Sequence, residues 1–170
     1  MNNKKWLTIF VVLILELGTL DTYSQFLDSP ENRDTLRGIP GVYVSAQLDP
    51  DLGVTKEQIQ TDVELRLRTA GIKVLSKSEY FETPGGPHLF VEVNTINSKD
   101  ITEIYFFFIA VRLFQHVSLE RNPFIKVRTP TWSYGTIGIV SIRNPSHVRD
   151  FVKDTVDHFI NAYLAVNPKK

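Results

Sequence analysis

Apolar and polar residues alternate with a period of two at residues 42–48. The apolar members of this alternation are Val42, Val44, Ala46 and Leu48. Because successive side chains of a β-strand point to opposite faces, a period of two predicts a strand with one buried face. Residues 72–75 form a second, shorter apolar run that is also typical of a strand.

Between these two runs the spacing of apolar residues becomes helical, and we predict a helix over residues 55–70. Its apolar positions are Ile59, Val63, Leu67 and Ala70. Thr55 and Gln58 fit a capping box, in which each side chain bonds the backbone N–H of the other residue. A strand, a helix and a strand in succession predict a right-handed parallel crossover within one sheet.

Three further strands and a final helix are predicted in the second half of the chain. The strands cover residues 89–94, 104–120 and 125–142, and the helix covers residues 144–167. The order of elements is then β-α-β-β-β-β-α. We therefore predict an α+β fold with a single mixed β-sheet and two helices packed on one face.

The strand predicted at residues 104–120 is apolar on both faces in its first half. Its odd-numbered residues are apolar almost throughout, which predicts that they belong to the core. Its even-numbered residues are apolar from 104 to 110 and then become mostly polar. Either a helix or loop covers the apolar even-numbered residues, or they form a surface for a partner or an apolar ligand.

Seven residues on this strand and the next one are candidates for such a binding surface. They are aromatic residues and the polar residues close to them: Phe106, Phe108, Phe114, Arg112, His116, Trp132 and Tyr134. Hydroxyl groups and aromatic rings also occur together at residues 131–135, a combination that suits contact with sugars. Packing of strand aromatics across neighbouring strands is the more common reason for that combination.

The first 24 residues are typical of a secretory signal peptide. Lys4 and Lys5 precede an apolar run that is much shorter than the roughly 20 residues of a spanning helix. Small side chains at Thr22 and Ser24 predict cleavage near the Ser24–Gln25 bond. Polar residues at 25–40 predict a flexible linker, and residues 41–168 then form a single α+β domain. The mature protein is predicted to be soluble, periplasmic or secreted, with no stable membrane span.

Composition and charge exclude several classes of function. The chain has no cysteine, which excludes disulfides, thiolate catalysis, cysteine zinc sites and the usual bacterial lipid anchor. Its 19 basic and 19 acidic residues balance, whereas nucleic-acid binding usually requires a net basic face. No nucleic-acid partner is therefore predicted.

No sequence motif for a metal, a nucleotide or a catalytic reaction is found. The final helix carries several ionisable residues on one side: His147, Asp150, Asp154, Asp157 and His158. This side lies opposite the apolar stripe of the helix, where an amphipathic helix keeps its charges. We predict no catalytic residue, no metal site and no cofactor.

Four stretches together resemble a family of small exported bacterial proteins of unknown function. They are LRGIPGV at residues 36–42, QTDVELRLRTAGI at 60–72, TWS at 131–133 and VDHFINAYL at 156–164. The resemblance covers most of the mature chain and lies in helix faces and a strand turn. It implies a small exported protein, and it assigns no activity or site residue.

Three hypotheses for the function follow from export and from the lack of a reaction motif. The first is a non-enzymatic binding or assembly module of the cell envelope with a protein partner. The second is an enzyme with a dispersed site that includes His116, Glu120 or Arg112 beside Trp132, because catalytic residues converge in space rather than in sequence. The third is a carrier of an apolar small molecule lined by Phe106, Phe108 and Phe114.

Overall fold

The computed structural model describes residues 27–49, 53–96, 104–141 and 143–168. The predicted signal peptide, residues 1–24, lies outside the described residues, so export and cleavage stay predictions. The start of the predicted linker, residues 25 and 26, lies outside them as well.

Four strands form one mixed sheet in the order in which they occur along the chain. They are β1 (Tyr43–Leu48), β2 (His88–Ile96), β3 (Ile104–Leu119) and β4 (Asn122–Ser141). β1 pairs with β2 in parallel, and β2–β3 and β3–β4 are antiparallel. The parallel crossover therefore joins β1 to β2, whereas the predicted one joined residues 42–48 to residues 72–75, and the remaining strands form a meander.

Four α-helices accompany the sheet within the described part of the chain. They are α1 (Pro30–Asp34), α2 (Lys56–Thr69), α3 (Lys77–Glu82) and α4 (Val148–Val166), the last preceded by a 3₁₀ turn at Pro145–His147. The two long helices, α2 and α4, pack on each other and on the same face of the sheet. The predicted fold class is thus confirmed, with two additional short helices, α1 and α3.

The strand predicted at residues 72–75 forms only a single bridge, between Val42 and Val74. Pairing stops there because Ser76 caps the start of α3: its hydroxyl accepts from the backbone N–H of Glu79, whose carboxylate accepts from that of Ser76. Ile72 and Leu75 are nevertheless buried. These two residues therefore contribute to the core without forming a strand of the sheet. The sheet has four strands in the described part of the chain, instead of the five predicted.

The core lies between the sheet and the two long helices, and β3 runs through its centre. In the middle of the sheet, Leu89 of β2 lies opposite Leu113 of β3, which lies opposite Trp132 of β4. All three side chains are fully buried, and the Trp132 ring packs edge-on against Phe159 of α4 at 5.3 Å. Burial of large apolar side chains is the main favourable term in folding, so this layer is central to stability.

Residues 27–40 are packed against the domain, which corrects the prediction of a flexible linker there. Leu27 and Ser133 exchange hydrogen bonds, because the N–H of Ser133 donates to the Leu27 carbonyl and the Leu27 N–H donates to Ser133 Oγ. Ser29 caps α1, and Leu36 is fully buried. The linker was predicted from polar composition alone. A segment that lies along the exposed edge of β4 can be polar and still be ordered.

Asp28 connects this segment to the core. Its carboxylate accepts from the Trp132 indole N–H at 2.7 Å and from two nitrogens of Arg33, each at 2.8 Å. Burial alone would raise the pKa of Asp28. The hydrogen bonds from Arg33 and Trp132 outweigh burial and hold the pKa below its ordinary value.

Replacement of Asp28 by alanine is expected to lower the free energy of unfolding by about 2–3 kcal/mol, since it leaves the buried Trp132 N–H without an acceptor and frees Arg33. Urea denaturation measures this loss. Asp34→Ala is the matched control, because among the described residues Asp34 forms an ion pair with Arg37 alone and both side chains are more than 60% exposed. Equal losses for the two variants would contradict this role of Asp28.

Two ion pairs join α2 to α4. Arg149 of α4 donates two hydrogen bonds to Asp62, at 2.7 and 2.9 Å, and Arg66 of α2 donates two to Asp157. The hydrogen bond from Arg149 is the largest influence on Asp62 and lowers its pKa. Both pairs are partly solvent-exposed, so each contributes modestly to the packing of the helices.

Arg149→Gln is expected to lower the free energy of unfolding by about 1 kcal/mol at neutral pH. A lowered folded-state pKa gives stability that is present above the unfolded pKa of about 3.9 and is lost as pH falls through the folded value. The difference from the parent protein should therefore shrink in acid. Urea denaturation at neutral and acidic pH tests this. Arg68→Gln, which breaks a pair within α2, should have a smaller effect.

Candidate functional site

The face of the sheet opposite α2 and α4 carries most of the candidate residues, and we call it the open face. It presents the even-numbered residues of β2 from His88 to Asn94 and of β3 from Phe106 to His116, because the odd-numbered residues at 89–93 and 107–113 are buried under the helices. Odd-numbered residues of β1 lie on the same face. Among the described helices, only α3 contacts this face, through Tyr80 at one end.

An aromatic cluster surrounds His88 at the end of the open face near α3. The ring of His88 lies 5.4 Å from Tyr43, 6.0 Å from Tyr80 and Phe90, and 6.4 Å from Phe114. These distances lie in the range of direct ring contacts. Residues from three strands and a helix are thus brought together around one imidazole.

The two ring nitrogens of His88 have different partners. Nε2 lies 2.7 Å from Ser45 Oγ, and Nδ1 contacts a guanidinium nitrogen of Arg128. A guanidinium can only donate, so Nδ1 accepts and the ring proton resides on Nε2, which donates to Ser45. Burial, followed by the positive charge of Arg128, lowers the pKa of His88 to about 4, which keeps the ring neutral at physiological pH.

The direction of this hydrogen-bond chain bears on catalysis. In a serine–histidine catalytic pair the imidazole accepts the hydroxyl proton, and a carboxylate orients the ring from its other nitrogen. Here the imidazole donates to Ser45 Oγ, and a guanidinium occupies the position of the carboxylate. Ser45 is therefore not activated as a nucleophile by His88 in this arrangement.

Two arginines give the open face its charge. Arg112 donates to Glu92 at 2.5 Å, and both side chains are partly buried. Arg128 lies above the Phe114 ring, with its guanidinium carbon 4.9 Å from the ring centroid. Among the described residues Arg128 has no acidic partner, so it is a positioned cation beside an aromatic surface.

The other half of the open face is apolar. Phe106 lies opposite Ile139 and Phe108 lies opposite Ile137 in the β3–β4 register. The two phenylalanines are half-buried, while Ile137 is 77% and Ile139 is 54% exposed. Exposed isoleucines beside aromatic residues form a continuous apolar strip on this face.

The structure brings five of the seven candidate residues to the open face and separates the other two. Phe106, Phe108, Phe114, Arg112 and His116 lie on the open face. Trp132 and Tyr134 lie on the helix face, where Trp132 contacts Phe159 and Tyr134 stacks on His158 at 3.8 Å. The dispersed catalytic group that combined Trp132 with Arg112 and His116 is therefore not assembled.

Residues that sequence reasoning did not select complete the open face. They are Ser45, His88, Phe90, Glu92, Arg128, Ile137 and Ile139. The period of two on each strand indicates part of this face in the sequence, since His88, Phe90 and Glu92 alternate with apolar residues that are buried. The strand register that places them beside Phe114 and Arg112 is not visible in a single sequence.

The ionisable side of α4 is divided among separate contacts. Asp157 pairs with Arg66, Asp150 with Lys153, and His158 stacks on Tyr134. His147, Asp150, Phe151 and Asp154 line a shallow cavity of about 230 Å³. The described residues contain no group of three or more histidine, aspartate or glutamate side chains that could hold a metal ion.

None of the described helices combines the length and the apolar composition that a bilayer crossing requires.

The proton position on His88 is directly measurable. We expect His88 to stay neutral until the pH approaches 4 and to carry its proton on Nε2, because Nδ1 accepts from Arg128. Long-range ¹H–¹⁵N NMR correlations of the imidazole report both properties. A titration near pH 6.5, or a proton on Nδ1, would contradict the hydrogen-bond chain.

Comparison with known proteins gives similarity to solved structures and to no sequence family. No family model matches the chain, and no curated protein matches it significantly. A solved structure of rare lipoprotein B from Shewanella oneidensis is similar, with a TM-score of 0.39 and 10% sequence identity. The likeness covers 74% of this chain and 96% of that chain, and at this TM-score no functional conclusion follows from it.

Proposed function

We propose that this chain is an exported, non-enzymatic binding or assembly module of the bacterial cell envelope, which engages a protein partner through the open face of its sheet. Export rests on the signal-like first 24 residues. The observation that carries the binding role is the exposure of Ile137 and Ile139 beside Phe106 and Phe108.

The apolar strip favours a partner because soluble proteins rarely expose contiguous apolar surface without a binding role. Aromatic residues and arginine are also enriched in protein–protein interfaces, and both are present at the His88 end of the same face. The face therefore combines an apolar region with a rigid polar region, as the centre and rim of an interface do.

A protein partner fits this face better than a small apolar ligand does. Four cavities of about 230–260 Å³ among the described residues are lined mainly by α2, α3 and α4 with parts of β3 and β4, and none of the four is lined by Phe106 or Phe108. Small-molecule sites are concave and enclose most of their ligand. The apolar strip is instead spread over neighbouring strands of an open sheet face, which suits a broad contact.

Site-specific photo-crosslinking in the native bacterium tests the proposal. A benzoylphenylalanine residue at position 137 or 139 is expected to yield an adduct with the same envelope protein. The matched control is position 65, because Leu65 is 62% exposed on α2, away from the open face. Ile137→Glu combined with Ile139→Glu should abolish co-purification of that protein, whereas Leu65→Glu should preserve it.

Three outcomes would contradict the proposal. The first is equal crosslinking from position 65, and the second is an adduct only with another copy of this chain. The third is a purified protein that retains a lipid or metabolite while no protein adduct forms. Circular dichroism of each variant establishes that the fold is intact before the results are compared.

A further inference from the structure

The far end of the β3–β4 hairpin extends beyond the part of the sheet that the helices cover. The N–H of His116 donates to the Gly85 carbonyl, and Gln115 bonds to Thr35 and Thr131. From His116 to Leu119 the strand continues for three residues, about 10 Å at about 3.3 Å per residue. We call residues 117–128 the hairpin tip, and every residue from 120 to 128 is exposed.

An irregularity in the strand pairing displaces one part of the tip outward. Leu119 pairs with Asn122, but the preceding residue, Ser118, pairs with Lys126. Residues 123–125 of β4 therefore have no partner on β3, and they bulge. Phe124, at the centre of this bulge, is 96% exposed, the largest exposure among the large apolar side chains that the structure describes.

The tip combines exposed apolar side chains with an excess of positive charge. Ile125 is 43% and Val127 is 40% exposed, and Val117 pairs with Val127 on the same side of the hairpin. The charged residues of the tip are Glu120, Arg121, Lys126 and Arg128. None of the three cations pairs with an acidic residue in the described part of the chain. The local charge is thus positive although the whole chain is neutral.

From these features we infer that the hairpin tip docks onto an anionic phospholipid surface, with Phe124 inserted and Arg121 and Lys126 near the headgroups. Interfacial elements bury an apolar face about 5–10 Å into the headgroup region, which the projection of the tip allows. Basic side chains add attraction to anionic lipids. Specific protein interfaces use about 20–30 residues a side, more than this tip offers, so its size favours a lipid surface over a protein.

The docking is independent of the proposed protein interface, because it uses the end of the hairpin rather than the apolar strip. Phe106, Phe108, Ile137 and Ile139 lie along β3 and β4 on the opposite side of Arg112 from the tip. Either surface can therefore be altered without changing the other. Failure of one proposal leaves the other standing.

A fluorophore attached at the tip tests the inference in the full chain. The chain has no cysteine, so Phe124→Cys provides a single site for an environment-sensitive NBD label. We expect a blue shift and increased emission with vesicles of phosphatidylethanolamine and phosphatidylglycerol, and quenching by nitroxide-bearing lipids. Because the readout is local, binding by another segment does not mimic insertion of the tip.

Two further variants make the result decisive. Phe81→Cys, labelled in the same way, is the matched control, because Phe81 is a 73% exposed phenylalanine on α3. Lys126→Glu in the Phe124→Cys background should weaken partitioning about tenfold or more, and added salt should also weaken it.

An unchanged spectrum at position 124, or equal responses at positions 124 and 81, would overturn the inference. A response that Lys126→Glu and salt leave unchanged would overturn the role of the anionic headgroups. Thermal denaturation of each labelled variant confirms that the fold is intact.

Discussion

The two faces of β3 set the arrangement of the whole domain. Its odd-numbered residues from Phe107 to Leu113 are buried under the helices, while its even-numbered residues on the other face are at least partly exposed, except for the small buried Ala110. Because the side chains of a strand alternate, β2 and β4 must follow the same division to pair with it. The position of the helices, the composition of the core and the candidate binding surface all follow from this alternation.

The large buried side chains of β3 require a small residue at the facing position of β4. The Phe107 ring lies over Gly138 of β4, and a Cβ atom at residue 138 would approach two ring carbons to 2.9 Å. At the other end, the buried Trp132 obtains its hydrogen-bond acceptor from Asp28, about a hundred residues earlier in the chain. The segment predicted to be a linker therefore supplies the acceptor for the buried Trp132 indole, whose N–H would be costly to leave unpaired.

Local signals in the sequence predicted the long elements correctly, and long-range contacts account for the differences. The capping box of Thr55 and Gln58 is present as predicted. By contrast, α1 is five residues long and has no buried residue, so no apolar period marks it. Its position depends on contacts such as the hydrogen bond from Asn32 to the Thr131 carbonyl, which a single sequence does not display.

The candidate residues were divided between two faces by one bulge. The register shifts between Leu113 and Phe114, so Leu113 lies opposite Trp132 while Phe114 lies opposite Pro130. Thr131 is the extra residue, and it places Pro130 and Trp132 on opposite faces although both are even-numbered. A period-two argument carried along β4 therefore fails at this point, because bulges reverse the alternation without a distinct apolar pattern.

Arg128 lies where the open face meets the hairpin tip, and its contacts with two aromatic rings hold its guanidinium in place. Its guanidinium lies over Phe114 and donates to a histidine whose pKa of about 4 leaves the ring uncharged. A protonated imidazole would repel the guanidinium and would have no lone pair to accept its proton. The neutral state of His88, which burial imposes, is thus the condition for a fixed positive charge at this junction. The aromatic cluster that partly buries His88 therefore also influences the charge next to the tip.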